Sequence, residues 1–242
     1  MRLDKYLADM GAGKRSDLKK AIRRGEAEID GEKILDPGRA VPEGACVCFR
    51  GRRIRYEAYV YYMMNKPAGV ISATEDSRQR TVLDLLEGPI RRDLFPVGRL
   101  DRDTEGLLLL TNDGNLAHRL LSPGRHVDKV YRARVRGPLP ENAADLFRKG
   151  LQVDDSLTAM PAELRILRQE AEDITEAEVT IREGKYHQVK RMFQAVGCEV
   201  TALKRLRMGS LELDPALGPG QYRRLTAEEL DALQQAGEKQ KI

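Results

Sequence analysis

The residues best suited to chemistry lie in the run Gly98-Arg99-Leu100-Asp101-Arg102-Asp103-Thr104-Glu105-Gly106, where Asp101, Asp103 and Glu105 are interleaved with Arg99 and Arg102. Leu107 to Leu110 follow at once, then Thr111-Asn112 and the turn pair Asp113-Gly114. An unbroken apolar run closed by Asp-Gly reads as a strand buried on both faces. A carboxylate at the mouth of such a strand is partly withdrawn from water, and neighbouring arginines keep it ionised. That combination suits a functional carboxylate. It equally describes a charged loop that only feeds a core strand. Elsewhere, Tyr131 by itself reads as a half-buried strand tyrosine and Lys190 as a lysine beside a helix's apolar stripe.

These side chains need elements to hold them. Leu3, Tyr6, Leu7 and Met10 repeat at helical spacing, and a second helix follows with Ser16 as its cap and Gly25 as its stop. Residues 27–34 predict a hairpin turning at Asp30-Gly31, and 45–49 a short strand. Residues 50–58 carry four arginines and little to bury, so they read as a linker. Beyond it, strands are expected at 60–65, 107–111, 130–136, 163–167, 177–181, 201–207 and 211–213. Helices are expected at 81–86, 115–121, 142–149 and 186–196, with a last one opened by the capping box Thr226…Glu229. Irregular alternation of strands and helices favours an α+β fold, a mainly antiparallel mixed sheet flanked by helices. The expected division is 1–57 for a small first domain with its linker, 58–236 for the larger domain, and 237–242 for a frayed tail.

Composition excludes several classes. No apolar run reaches the roughly 20 residues of a membrane span, and the start MRLDKYL lacks a signal peptide's apolar stretch, so a cytoplasmic protein is expected. Cys46, Cys48 and Cys198 have no zinc spacing, and Cys46 and Cys48 suit buried free thiols on one strand face. No GxGxxG or P-loop is present, which leaves no nucleotide cofactor.

Charge points to a polyanion. Residues 1–57 hold 14 Lys+Arg against 10 Asp+Glu, while the remaining 28 basic and 28 acidic residues cancel. Lys14, Arg15, Lys19, Lys20, Arg23 and Arg24 crowd the second helix with only Asp17 in opposition. Like charges at i,i+4 cost helix stability unless phosphates relieve them. Two further basic clusters, 119–136 and 182–207, extend this into an expected phosphate-binding track.

The run GRLDRDTEGLLLLTNDG resembles the signature loop of the pseudouridine synthases of the RsuA/RluA superfamily. Asn65-Lys66-Pro67-Ala68-Gly69 resembles that family's first motif, Lys129-Val130-Tyr131 its K-x-Y motif, and Glu183-Gly184-Lys185-Tyr186-His187-Gln188-Val189-Lys190-Arg191-Met192 its E-G-R-x-H-Q-V-[KR]-R-M motif. The opening Met1 to Leu7 resembles an S4-type RNA-binding module, as in the RsuA branch. The resemblance implies a redox-neutral isomerase that needs neither metal nor cofactor. It implies Asp101 as the nucleophile, Lys190 as its counter-ion, Tyr131 stacked on an extruded uridine and Arg99 filling the vacated stem. His187 and Gln188 are expected to touch RNA or fix the cleft, Lys66-Pro67 to shape its wall, and Asp103 and Asp113 to be loop and turn formers. Lys185 departs from the family's usual Arg, keeping the charge and losing the planar fork.

The expected activity is conversion of uridine to pseudouridine in small-subunit rRNA, by a monomer acting on rRNA or a pre-ribosomal particle, away from membranes. Two alternatives share these features: a synthase for large-subunit rRNA, and a non-catalytic RNA-binding assembly factor.

Overall fold

The computed structural model describes residues 1–88 and 90–236; the tail expected to fray, 237–242, lies outside the described residues. Two compact units are present, one of Met1–Val60 with Leu86–Leu94, the other of Tyr61–Leu85 with the chain from Phe95 on.

In the first unit, helices α1 (Leu3–Asp9) and α2 (Arg15–Arg23) pack on strands β1 (Ala27–Ile29), β2 (Glu32–Ile34), β3 (Val47–Phe49) and β4 (Arg52–Ile54). The strands form an antiparallel sheet in the order β2-β1-β3-β4. Leu3, Leu7, Leu18, Ile22 and Val47 fill the core between them. The linker expected over 50–58 is corrected here, because Arg52–Ile54 pairs with β3. Arg50 and Gly51 both take left-handed backbone conformations (φ 51° and 74°), the geometry of a tight hairpin turn. A second correction concerns α2, whose cap is Lys14 and not Ser16, with no side-chain capping bond. Its first turn is tied down by Arg15, which bonds the buried Asp4 at 3.1 Å. Burial opposes charge on Asp4, but hydrogen bonds from Arg2 and Arg15 win and lower its pKa to about 2. Cys46 and Cys48 are half-buried free thiols, less enclosed than expected.

The second unit comprises β5 (Tyr61–Lys66), β6 (Phe95–Pro96), β7 (Glu105–Thr111), α3 (Gly114–Leu121), β8 (Lys129–Arg136), α4 (Ala143–Lys149), β9 (Leu151–Asp154), β10 (Leu157–Ala159), β11 (Glu163–Ala171), β12 (Ile174–Ile181), α5 (Gln188–Ala195), β13 (Glu199–Met208), β14 (Leu211–Glu212), β15 (Tyr222–Arg224) and α6 (Ala227–Ala236). The main sheet runs β11-β12-β8-β13-β7-β5-β15, and its one parallel pairing among the described residues is β13 with β7. This is the α+β arrangement with a mainly antiparallel sheet. The helix expected at 81–86 is a single tight turn, Leu83–Leu85, held by Asp84 accepting from Thr81.

Strand β7 is buried on both faces, with Leu107 to Leu110 fully covered. Leu107 and Leu109 join the core under α3 and α6, together with Met63, Leu116 and Leu233. At the start of β7, Gly106 (φ 100°) lets β13 come close: a Cβ there would lie 2.2 Å from the Arg205 carbonyl oxygen. The polar loop 98–104 therefore enters the sheet at its centre, where the parallel pair lies.

Candidate active site

The loop before β7 is fixed from below by a buried amine. Lys66, the last residue of β5, is fully buried, and its Nζ lies 3.0 Å from the Asp101 carbonyl oxygen, 3.3 Å from that of Arg102 and 2.8 Å from that of Thr104. The carbonyl of Pro67 completes the set at 3.0 Å. Desolvation lowers the Lys66 pKa to about 8, against the pull of the charges on Asp103, Asp101 and Glu105. From another side, the Ser72 hydroxyl accepts from Leu100 N–H and donates to the Leu100 carbonyl, both at 3.0 Å. Gly69 N–H donates to the Arg102 carbonyl and Thr104 N–H to that of Asp101. The backbone from Leu100 to Thr104 is thus held by several independent bonds, which leaves the Asp101 side chain as the aimed group. The wall-forming role expected for Lys66 understates this.

Helix α5 supplies the facing side. Val189, Met192 and Phe193 are buried, and the rings of Phe193 and Phe147 pack 5.3 Å apart, anchoring α5 to α4. Lys190 then projects from the flank of the apolar stripe, its Nζ 3.3 Å from Asp101 Oδ2 and 2.6 Å from Asp103 Oδ1. Burial opposes its charge, yet the hydrogen bond to Asp103 and the charge on Asp101 hold its pKa above the ordinary lysine value. The same hydrogen bond holds Asp103 below the usual carboxylate range. Asp103, expected as loop structure, is therefore the nearest partner of Lys190, which spans both aspartates.

His187 adds a third group at the carboxylate. It precedes α5 in a left-handed conformation (φ 49°), and its Nε2 lies 3.5 Å from Asp101 Oδ1. Tyr131, on β8, is only 7% exposed and lines the same pocket as Asp101 and Lys190, with Leu203, Ile181 and Val189 as apolar wall. The three side chains singled out by resemblance thus share one pocket. Arg99 also lines it, exposed and in no ion pair among the described residues. An adjoining cleft of about 690 Å³ shares Arg99, Asp101 and His187 with the pocket.

Other expectations are narrowed or corrected. Gln188 is buried, its amide donating to Glu183 Oε1 at 2.7 Å and accepting from Lys185 N–H at 3.0 Å, so of the two roles expected for it these bonds fit the one that fixes the cleft. Asp113 is more than a turn former: it caps α3 by accepting from Leu116 N–H and receives the Tyr61 hydroxyl. On α2, Arg15 is bonded to Asp4 and Arg24 to Glu26. Lys14, Lys19, Lys20 and Arg23 have no ion pair among the described residues. Within the cluster 119–136, Lys129 is buried and Arg132 and Arg134 pair with Glu176 and Glu170, while Arg136 is exposed with no ion pair among the described residues. Part of the cluster 182–207 is likewise engaged, while Lys204 and Arg207 form no ion pair among the described residues. Arg182 pairs with Asp128, Lys185 with Glu183 and Arg191 with Asp154, while Arg205 is buried against the Leu107 carbonyl. No helix among the described residues is long and apolar enough to cross a membrane.

Comparisons with known proteins agree on a family. Residues 60–195 match the RNA pseudouridylate synthase family and residues 1–45 the S4 domain. The uncharacterized RNA pseudouridine synthase YtzG of Bacillus subtilis (strain 168) is 48% identical, over 96% of this chain and 98% of its own. The ribosomal small subunit pseudouridine synthase A of Escherichia coli (strain K12) is 39% identical, over 95% and 98%. Among solved structures, a crystal structure of a pseudouridylate synthase superposes with a TM-score of 0.68 at 35% identity, over 96% of this chain and 99% of that one. The chain belongs to the RNA pseudouridylate synthase family and is a pseudouridine synthase with an S4 domain at its N-terminus.

Proposed function

We propose that this protein converts a uridine of small-subunit ribosomal RNA to pseudouridine, with Asp101 as the nucleophile, acting as a monomer in the cytoplasm. One observation carries the reading. The Asp101 carboxylate sits on a loop fastened by Lys66, 3.3 Å from the Lys190 ammonium, in a pocket that Tyr131 also lines. Relatives named for the small subunit, about 40% identical over nearly the full chain, support the choice of RNA.

The reaction breaks the bond from ribose C1′ to N1 and forms one from C1′ to C5 of the same base. C5 gives up its proton and N1 gains one, so the balance closes without oxidation or a second substrate. Asp101 attacks, forms a covalent adduct with one fragment while the pocket retains the other, and leaves again. Lys190 keeps that carboxylate paired when the base excludes water, where an uncompensated charge would cost several kcal/mol. Tyr131 stacks on the extruded base. Stacking is worth about 1–3 kcal/mol, which offsets much of the few kcal/mol needed to swing a uridine out. The unpaired cations Lys14, Lys19, Lys20 and Arg23 of α2 meet phosphates and set orientation.

Small-subunit rRNA transcripts tritiated at uridine C5 provide the test, in the presence of EDTA. Release of one tritium per transcript to solvent is expected, with release from large-subunit transcripts far slower. No release from either, by protein with an intact unfolding transition, would end this reading.

A further inference from the structure

The pocket is read as the uridine site, and the cleft beside it is still unassigned. Tyr186 lines that cleft and is 75% exposed, the highest value among the exposed large apolar side chains of the described residues. Single exposed apolar side chains need no explanation in general. This one differs in how it is held. Its ring stacks on His187, with centroids 3.8 Å apart and planes within 18°. His187 in turn reaches to 3.5 Å from Asp101. One face of the tyrosine is therefore covered by a residue of the pocket, while the ring as a whole stays largely open. The loop that carries it is braced from inside by Gln188 and Glu183, so the platform is built in advance of any ligand.

The chemistry around the ring suits RNA. Arg102 lies at the cleft and is exposed, with a single weak bond from Nε to the Gly69 carbonyl at 3.3 Å and no ion pair among the described residues. Ile71 and Leu121 give the cleft an apolar side. A flat aromatic with an open face, an apolar wall and an uncommitted guanidinium is what a nucleobase and its phosphate require. Continuity with the pocket selects the occupant, because a strand whose uridine enters the pocket must continue past its mouth.

We propose that this cleft is a second base-binding subsite, in which the nucleobase next to the target uridine stacks on Tyr186 and Arg102 meets the adjoining phosphate. The inference rests on the reading of the pocket as the uridine site. It makes Tyr186 a residue that selects sequence context and leaves the bond-breaking step to Asp101.

The test combines Tyr186→Ala and Tyr186→Phe with three RNAs: an intact small-subunit fragment, and the same fragment made abasic on one or the other side of the target uridine. Both RNA affinity and tritium release are measured. On intact RNA, Tyr186→Ala should raise Kd and KM by about 5- to 100-fold, as expected for loss of one base–aromatic stack, with kcat near wild type. Tyr186→Phe, which keeps the ring, should behave as wild type. One of the two abasic RNAs should weaken the wild type to a similar degree and show no further loss with Tyr186→Ala. Equal binding of intact RNA by wild type and Tyr186→Ala would overturn the proposal. So would a full penalty of Tyr186→Ala on both abasic RNAs, which would mean that the ring acts on some other part of the RNA or only through His187. A wild type that releases no tritium would instead remove the uridine-site reading and this subsite with it.

Discussion

Two regions of the molecule are rich in basic residues, and the structure treats them in opposite ways. On α2, Lys14, Lys19, Lys20 and Arg23 have no acidic partner among the described residues, and the acid of that stretch, Asp17, lies in the first turn. On the strands β8 and β11, four of the five arginines meet a glutamate across or along the sheet, and Arg136 forms no ion pair among the described residues. Arg165 pairs with Glu178 at 2.9 Å, Arg168 with Glu176 at 2.8 Å and Arg134 with Glu170 at 2.7 Å. Both regions look alike when lysines and arginines are counted along the chain. They differ because antiparallel register sets residues far apart in sequence side by side: Arg132 and Arg134 face Glu178 and Glu176. On the nine-residue α2 only Arg15 finds such a partner, Asp4. Charge that the fold leaves without an acidic partner is the part most available to phosphate.

The comparison can be broken or sharpened by substitution. The largest effect is expected where a committed cation is removed from the interior. Lys66→Met would strip a donor from the carbonyls of Asp101, Arg102 and Thr104 and let the loop drift. Misplacement of a reacting group by about 1 Å is enough for a roughly 100-fold loss. Tritium release should therefore fall by about that factor, while RNA affinity, read by filter binding, stays within about threefold. Next in size is the uncommitted charge. Changing Lys14, Lys19, Lys20 and Arg23 together to Gln should weaken RNA binding about 10- to 100-fold at moderate salt. The slope of log affinity against log salt should become shallower by roughly 3, since each lost phosphate contact removes about 0.7–0.9. An unchanged slope would mean that α2 does not touch the backbone.

A pH effect follows from the two buried lysines. Lys66 and Lys129 are each pushed down to about 8 in the folded protein, chiefly by desolvation. An unfolded lysine titrates near 10.4. Between these values the unfolded chain binds more protons than the folded one, so these groups make stability rise as pH climbs from about 8 to 10.4. Chemical denaturation across that window should show the rise in the wild type and a smaller one in Lys66→Met. The smallest effect belongs to the sheet arginines. Arg134→Gln removes an exposed ion pair worth at most about 1 kcal/mol and should leave RNA affinity within twofold. A tenfold loss of affinity would show that the ladder is also part of the RNA surface.

Much of the site could be read in the residues themselves, and the failures have physical causes. Two hairpins make the point for the fold. Both turn on a residue–glycine pair with left-handed backbone, Asp30-Gly31 and Arg50-Gly51. The first is legible because Asp-Gly is a turn signal and Ala27, Ile29 and Ile34 mark its strands. The second is hidden, since Arg-Gly is no such signal and β4 has Ile54 as its single apolar residue. At the site, the loop before β7 stands out through the leucines that follow it. The charge pairing of Arg132 and Arg134 does not, because their partners lie some forty residues away. Gln188 and Lys66 fail for a common reason: a polar side chain buried by its own hydrogen bonds looks, in one dimension, like any surface residue. The lysine at the end of the apolar strand β5, followed directly by proline, is the one local hint that Lys66 points inward.

Asp101→Asn, which keeps shape and removes charge, bears most directly on the nucleophile. Tritium release from the C5-labelled small-subunit transcript should disappear, while RNA affinity and the denaturation midpoint stay close to wild type. Turnover by Asp101→Asn at even a tenth of the wild-type rate would contradict the assignment of Asp101 as the attacking group.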